Sequence, residues 1–222
     1  MPRCGGSAGE FSSWPAQSYS TMTKDASGTL ATTCSRSRHA EMLLLTNIVV
    51  FQVAWLLSVI GGAQQMAWLG PLATLFALAW HLSAARKPFE EVLLILCCGL
   101  MGLCFDSYLV GAGWVTYKAG LFSDYVAPYW IITMWMLFGM TLNVSMRWLR
   151  GRPKLAALFG FYGGPASYLG GQALGGIVLT NQFAALLALA IGWAIMMPIL
   201  MWLSENLDGM PGPRRVWTAE RA

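Results

Sequence analysis

The sequence predicts an all-α, polytopic membrane bundle of six transmembrane helices with both termini in the cytoplasm. Of its 222 residues, 56% are hydrophobic and only 11% are charged, whereas soluble globular domains carry about 25% charged residues. Long uncharged runs alternate with short polar connections, and each run has the length of one or two bilayer spans. Lys and Arg collect on alternate connections, which indicates the orientation of the spans.

The chain divides into three predicted regions. Residues 1–40 are rich in Ser, Thr, Gly and Ala and lack apolar periodicity, which predicts a disordered polar tail. No apolar run closely follows the first Met, so we do not expect an export signal, and Met22 or Met42 is an alternative start of the natural protein. Residues 42–204 form the predicted transmembrane domain, and residues 205–222 form a polar cytoplasmic tail.

The fourth span is the uncharged segment between Asp124 and Arg147. At about 1.5 Å per residue it would form a helix of roughly 33 Å, enough to cross the hydrocarbon layer. Tyr129 and Trp130 at one end and Trp148 at the other suit the headgroup region. Four cations follow and mark the cytoplasmic end, and we interpret them as topology-determining: Arg147, Arg150, Arg152 and Lys154.

The other spans follow from where charges and turn residues lie. Long uncharged runs between Met42 and Ala85 and between Leu155 and Ser204 each hold two spans joined by a glycine-containing turn. Pro88 breaks the helix before the third span. The predicted bounds are 43–61, 68–85, 90–111, 155–174 and 182–203.

The distribution of cations supports six spans independently of hydropathy. One predicted side of the membrane holds only Lys118. The other side collects Arg36, Arg38, Arg86, Lys87, Arg147, Arg150, Arg152, Lys154, Arg214, Arg215 and Arg221. Because cytoplasmic loops carry the excess of Lys and Arg, both termini are predicted to lie in the cytoplasm.

Asp106 lies inside the third span, where an ionisable side chain is by default a candidate for function. On a helix it shares a face with Gly99 and Gly102, which turns it toward closely packed neighbours rather than lipid. Two interpretations remain open: a structural bond that anchors the following loop, and a role with a substrate or a proton. The groups within its reach are Tyr117, Lys118 and Tyr129.

A second polar set lies toward the cytoplasmic ends of the spans. Because the spans alternate in direction, its members could share one layer of the bundle. Interhelical hydrogen bonds, worth about 0.6–2 kcal/mol each, are one interpretation. A polar pocket open to the cytoplasm, with His81 as its titratable member, is the other. The set comprises Asn47, Gln52, His81, Asn143, Ser145 and Tyr162.

The fifth span is rich in small residues, which lets helix backbones approach closely. A proline within it predicts a kink. We weigh two interpretations, close packing against a neighbouring helix and a broken helix that lines a cavity. The residues that carry this pattern are Gly160, Gly164, Pro165, Gly171 and Gly175.

Several classes of enzyme are disfavoured by what the sequence lacks. Two histidines cannot build a multi-histidine di-iron site, and there is no nucleophile elbow, P-loop or His-Glu-x-x-His motif. Cys97, Cys98 and Cys104 lie in an apolar span and are interpreted as small hydrophobic side chains. We therefore expect no catalytic residue, metal or cofactor, and no nucleic-acid partner, because the cations lie beside spans.

A series of residues in order along the chain carries a resemblance to a known family. The series is Asn47, Gln52 and Trp55; His81; Asp106; Trp130 with Trp135; Thr141-Leu142-Asn143-Val144-Ser145; Trp148-Leu149-Arg150-Gly151-Arg152-Pro153; and Gly163-Gly164-Pro165 with Tyr168 and Gly171. Over about residues 42–204 it resembles a bacterial inner-membrane family described only as a domain of unknown function. The resemblance implies a small multi-pass protein of a bacterial inner membrane, often associated with genes for fatty-acid or membrane-lipid modification. Members of the family begin close to the first span, so the amino-terminal tail departs from their pattern.

Three functional hypotheses follow. The first is a protein that binds or moves a small or lipidic molecule, with Asp106 and the polar layer as contacts. The second is a non-catalytic subunit that docks a lipid-modifying membrane protein through the glycine-rich helix or the basic loop. The third is an intramembrane lipid enzyme that uses His81 or Asp106 as acid or base, which the absence of a convergent catalytic cluster makes the weakest.

Overall fold

The computed structural model describes the backbone of residues 26–211 and the side chains of residues 41–211. Its helices are α1 (Ala26–Ala63), α2 (Leu69–Ala84), α3 (Pro88–Gly111), α4 (Tyr129–Leu142), α5 (Pro153–Ala173) and α6 (Gln182–Asn206). A 3₁₀ turn covers Arg147–Leu149, and two short strands are β1 (Val115–Tyr117) and β2 (Ile177–Leu179). The predicted all-α class is confirmed. The predictions for residues 1–25 and 212–222 lie outside the described residues.

Three of the described helical segments are long and apolar enough to cross a membrane: Glu41–Ala63, Pro88–Gly111 and Gln182–Asn206. The other apolar helices, Leu69–Ala84 and Tyr129–Leu142, are shorter. Long apolar helices with lipid-sized hydrophobic lengths are typical of membrane proteins. The structure therefore places this chain among membrane-associated proteins.

The fourth helix is shorter than the sequence predicts. Helix α4 has 14 residues, about 21 Å at the α-helical rise, and it ends at Leu142 rather than continuing to Arg147. The backbone N–H groups of Val144 and Met146 both turn back to the carbonyl of Thr141. Hydropathy cannot detect this break, because its cause is tertiary: the side chain of Asn143 is buried among polar partners of other elements.

At both ends of the chain the structure differs in part from the predicted polar tails. Helix α1 begins at Ala26, so its backbone includes residues 26–40, for which composition predicts disorder; extending an existing helix needs no new nucleus. At the other end, the segment after Asn206 is not a free polar tail throughout. Gly209 and Met210 are buried, and the carbonyl of Gly209 accepts hydrogen bonds from the N–H groups of Arg86 and Lys87.

Consecutive helices run antiparallel, and their connections gather at two ends. At the ribbon end, β1 pairs antiparallel with β2, with Val115 opposite Leu179 and Tyr117 opposite Ile177. The turn after α1 joins them, because the Gln65 side-chain amide donates to the carbonyl of Lys118. The opposite end, which we call the hub end, holds the α2–α3 and α4–α5 connections and the segment after α6.

Close packing of α5 against α6 explains the glycine pattern. A Cβ on Gly160 would lie 2.2 Å from the Trp193 carbonyl oxygen, and one on Gly164 would lie 2.4 Å from the Trp193 indole. On Gly171 it would meet Ile177 at 2.5 Å. The contact at Gly160 is with backbone, which cannot rotate away, so a larger residue there would force α5 and α6 apart. Pro165 lies inside α5, which continues as one helix to Ala173, so the predicted break in this helix is wrong. The same helix does line a cavity, at Gly160 and Gly164.

Candidate functional site

The Asp106 carboxyl group is fully buried and joins four elements near the ribbon end. Its Oδ1 accepts hydrogen bonds from the hydroxyls of Tyr117, at 2.7 Å, and Tyr168. Its Oδ2 accepts from the Trp135 indole N–H at 2.6 Å. Because α3, β1, α4 and α5 each contribute one side chain, this acid ties the bundle together at one point. Of the candidates within its predicted reach, Tyr117 is the one that the structure brings to it.

Glycine one turn before Asp106 makes this geometry attainable. A Cβ on Gly102 would lie 2.0 Å from the Trp135 ring, and one on Gly99 would lie 2.7 Å from the Met136 side chain. The indole of Trp135 therefore lies directly on the backbone of α3. From there its N–H reaches Asp106, one turn farther along the same face.

An aromatic cavity of about 330 Å³ lies beside this network. Its aromatic lining comprises Phe51 and Trp55 from α1, Trp135 and Phe138 from α4, Phe159 and Tyr168 from α5, and Trp193 from α6. Gln52 and Ser167 add two uncharged polar side chains, and none of the described lining residues is charged. The cavity is thus suited to apolar surface with a small number of polar contacts.

The cavity wall and the Asp106 network share two side chains. Trp135 and Tyr168 line the cavity, yet both direct their polar atoms to Asp106. Trp193 stacks on Trp135 with ring centroids 4.5 Å apart and an interplanar angle of 18°. The donors of Trp135 and Tyr168 are therefore engaged, whereas the buried indole N–H of Trp193 has no hydrogen-bond partner among the described residues.

Tyr117 closes the network on the ribbon side. Burial raises the pKa of its hydroxyl well above the ordinary value, and the neighbouring Asp106 carboxyl adds to this rise. The phenol is consequently neutral and available as a hydrogen-bond donor through the physiological range.

A second buried network, at the hub end, centres on Glu91. Its Oε2 lies 2.8 Å from His81 Nε2. Its Oε1 accepts from the Asn143 amide at 2.6 Å and from the Gly209 backbone N–H at 2.8 Å. His81 and Glu91 are both 0% exposed. One carboxyl group thus holds α2, the α4–α5 connection and the segment after α6.

Two arginines extend this hub toward the surface. Arg147 and Arg150 donate to opposite oxygens of Asp208 at 2.8 and 2.7 Å. Arg150 also donates to the Asn143 side-chain oxygen and to the Ser204 carbonyl. Burial lowers the pKa of the Arg147 guanidinium, and Asp208 opposes this decrease. Arg147 and Arg150, predicted to set topology, also hold the carboxyl end of α6.

The structure brings some of the predicted polar layer together and separates the rest. His81 and Asn143 meet through Glu91. Asn47 is buried elsewhere, with its amide donating to the Met140 carbonyl at 3.1 Å. The remaining members do not join this hub: Gln52 lines the aromatic cavity, Ser145 donates to the carbonyl of Thr141, and Tyr162 is 65% exposed on α5.

Sequence reasoning missed Glu91, Asp208 and Trp193. Glu91 stands beside Glu90 at the start of a span, where acidic residues favour the helix amino terminus without any partner. Asp208 belongs to a segment with a polar composition. A usable signal was present for Trp193, because it lies on α6 within a long apolar run opposite a glycine-rich helix, the pattern of a ring packed on small residues.

Both networks link elements of the bundle to one another through a buried carboxyl group. The oxygens of Asp106 and Glu91 are occupied by hydrogen-bond donors of the chain itself. Among the described residues, no group of three or more His, Cys, Asp and Glu side chains is placed to hold a metal ion.

Comparison with known proteins identifies a family but no similar curated protein or solved structure. The match is to a family described as "Protein of unknown function (DUF2878)" and covers residues 44–199, more than half of the sequence and nearly all of the helical bundle. The resemblance to a family of unknown function is therefore confirmed, and the chain belongs to the DUF2878 family.

Proposed function

We propose that this chain is a multi-pass protein of a bacterial inner membrane that binds, and through binding moves, a small or lipidic molecule. The observation that carries the proposal is the aromatic cavity of about 330 Å³ between α1, α4, α5 and α6. Its lining comes from the middle of apolar helices, at the depth that a bilayer would cover.

Six spans with cytoplasmic termini are part of this proposal. Three helices have sufficient apolar length, and the shorter α2 and α4 lie antiparallel among them with connections at the same two ends. The hub end collects Arg86, Lys87, Arg147 and Arg150, whereas Lys118 lies at the ribbon end. This asymmetry favours a cytoplasmic hub end.

The cavity is closed on its ribbon side and more open toward the hub end, which favours access from the lipid phase. On the ribbon side α1 and α5 approach closely: a Cβ on Gly170 would lie 3.3 Å from Trp55. Farther toward the hub end, Gln52 is exposed and Gly163 faces open space apart from the Phe159 ring. An apolar molecule could enter there without crossing water, and its binding would then depend on packing against the rings rather than on removal from water.

The docking hypothesis receives less support from the same helices. The glycine face of α5 at Gly160 and Gly164 is covered by Trp193 of this chain's own α6. A partner would therefore need a different face of α5 or the basic connection.

Native mass spectrometry of the full chain released from its own membrane tests the proposal. We expect a stoichiometric lipid or small molecule on the wild type. Gly163→Leu should displace it by filling the cavity, since a Cβ there meets only the Phe159 ring, at 3.7 Å. Gly111→Leu makes the same chemical change where a Cβ meets nothing within 4 Å, and it should retain the ligand.

Two outcomes would contradict a binding role in this cavity. One is a spectrum of bare protein, or of protein with only a partner subunit. The other is equal retention of the same ligand by Gly163→Leu and Gly111→Leu.

A further inference from the structure

Trp193 brings to the aromatic cavity a buried hydrogen-bond donor that has no acceptor in the described part of the chain. Its indole Nε1 is buried and forms no hydrogen bond with the described residues, and the residue itself lines the cavity. The donors of Trp135 and Tyr168, in the same wall, are engaged by Asp106. Burying a donor without an acceptor is costly, so an acceptor on a bound molecule is favoured at this place.

This donor lies where α6 meets the α5 wall of the cavity. A Cβ on Gly164 would lie 2.4 Å from Cδ1 of Trp193, and Cδ1 is the ring atom bonded to Nε1. Trp135 stacks on one face of the ring, whereas the N–H bond points outward in the plane of the ring. Because Gly163 and Gly164 line the wall on this side, the wall is largely backbone, over which a bound molecule can approach the ring closely.

The rest of the lining selects a neutral molecule that accepts without donating. None of the described lining residues is charged, so a carboxylate or a phosphate would be buried without a counter-charge. A hydroxyl or an amine brings a donor of its own, but the Gly164 carbonyl already accepts from Ser167 and Gln52 is exposed. The carbonyl oxygen of a ketone or an ester accepts the N–H and leaves no donor unpaired.

We propose that the molecule held in the aromatic cavity is neutral and carries a ketone or ester carbonyl, whose oxygen accepts a hydrogen bond from Trp193 Nε1 while its apolar part packs against the rings. Because Nε1 is covered in the structure, the indole has to tilt for the oxygen to reach it. This inference rests on the proposed function and adds the chemical class of the ligand. The carbonyl could belong to an acyl lipid of the bilayer or to a free apolar compound, because both present the same group.

Equilibrium binding to the full chain in nanodiscs of diether phosphatidylcholine, a lipid without carbonyl groups, tests this class. The probes are radiolabelled methyl hexyl ketone and its alkene isostere, in which a methylidene group replaces the oxygen, and binding to empty nanodiscs is subtracted. At equal mole fraction in the lipid we expect the ketone to bind about tenfold more tightly, because neither its oxygen nor the N–H has another partner in hydrocarbon. The carbonyl stretching frequency of the bound ketone should decrease, since the hydrogen bond weakens the C=O bond.

Nanodiscs of diester phosphatidylcholine separate the two sources of the carbonyl. There the acyl groups of the bilayer compete with the probe. Loss of ketone binding in the diester lipid indicates that an acyl lipid occupies the cavity, and unchanged binding indicates a free apolar compound.

Trp193→Phe isolates the contribution of the N–H, since phenylalanine keeps an aromatic ring and lacks the donor. The change in ring size acts on both probes alike, so the ratio of the two affinities is the informative quantity. We expect this ratio to fall to about one and the decrease in carbonyl frequency to disappear. Trp202→Phe makes the same change on the same helix, at a residue that is 64% exposed, and it should keep both.

Equal binding of the ketone and the alkene by the wild type would overturn this inference, and that comparison does not depend on whether any variant folds. A preference that survives in Trp193→Phe would also overturn it. If either result occurs while Gly163→Leu abolishes the binding of both probes, the carbonyl class is wrong and the binding function stands. A wild type that binds neither probe and carries no native ligand would contradict the function itself.

Discussion

At the start of α3, two adjacent glutamates occupy opposite environments. Glu91 is fully buried and bonded to His81, Asn143 and Gly209, whereas Glu90 pairs with Lys87 at the surface. Removing a buried hydrogen-bond partner typically costs about 1–3 kcal/mol for each group that is left without one. Loss of the Glu91 carboxyl would leave His81 Nε2 and the Gly209 N–H without a partner, whereas Asn143 keeps the Leu207 carbonyl.

We therefore predict that Glu91→Ala lowers the free energy of unfolding by about 2–6 kcal/mol, about 1–3 kcal/mol for each of these two groups. The measurement is thermal or denaturant unfolding in detergent, with Glu90→Ala as the neighbouring control that should leave the midpoint unchanged. Similar midpoints for the two variants would show that the Glu91 network is not what stabilises the hub end.

Tyr117 makes the stability of the folded chain depend on pH in the alkaline range. Its pKa is raised by burial in the folded state from about 10 in the unfolded chain, so folding favours the protonated phenol. The stabilisation is fully present below about pH 10 and decreases as the pH rises beyond that.

Tyr117→Phe should flatten the alkaline loss of stability, by up to about 1.4 kcal/mol per pH unit. The measurement is the unfolding free energy from pH 9 to about 11.5. Tyr125→Phe, at an exposed tyrosine of the following loop, should keep the wild-type slope. An unchanged slope in Tyr117→Phe would contradict this assignment.

At the residue scale, the sequence indicates which side chains are costly to bury, but it does not indicate which groups they bond with in the fold. Asp106 stands out because an acid in a span demands an explanation. Glu91 does not, since acids are common in the first turn of a helix. The difference lies in tertiary contacts: only the fold brings Asn143 and Gly209 to one oxygen of Glu91.

At the scale of elements, the packing of α5 depends on which glycine faces α6. A Cβ on Gly160 would lie 2.2 Å from the Trp193 backbone oxygen, which cannot rotate away, whereas one on Gly163 has ordinary contact with Phe159 at 3.7 Å. The GxxxG spacing alone indicates a close approach of helices. It does not show that the partner is a helix of the same chain.

Gly160→Ala should consequently destabilise the bundle by about 1–3 kcal/mol, the usual cost of overpacking. Gly163→Ala should be neutral or slightly stabilising, because alanine favours the helix by up to about 1 kcal/mol over glycine. Unfolding of the two variants in detergent, compared side by side, measures the difference. The reverse order of stability would place α6 on a different face of α5.

The helix bounds show what hydropathy can and cannot reveal. Predicted spans agree closely with α2, α3 and α6, because charges and prolines flank them in the sequence. The fourth span is predicted to be longer than α4 because residues 143–146 carry no charge. In the structure these residues lie outside the helix, and Asn143 bonds with the hub end. The length of an uncharged run sets the maximum length of a helix. A buried amide such as that of Asn143 can end the helix before the run ends.

For the whole molecule, orientation is the property on which the proposed function depends. The two ends differ chemically: the hub end buries Arg147 and Arg150 against Asp208 and exposes further cations, and the ribbon end exposes aromatic side chains such as Phe122 and Tyr125. Cations retained on the cytoplasmic side and aromatic rings at the headgroup level are the usual arrangement.

In a variant without native cysteines, we predict that Ser123→Cys reacts with a membrane-impermeant maleimide on spheroplasts, whereas Ser83→Cys does not. Both serines are exposed, the first in the ribbon-end loop and the second near the hub end, so each should react fully once the membrane is permeabilised. Reaction of both cysteines before permeabilisation would show that the two ends do not lie on opposite sides of a membrane. Reaction of Ser83→Cys alone would invert the orientation, and the cavity would then receive its ligand from the opposite leaflet, with Asp106 nearer the cytoplasm.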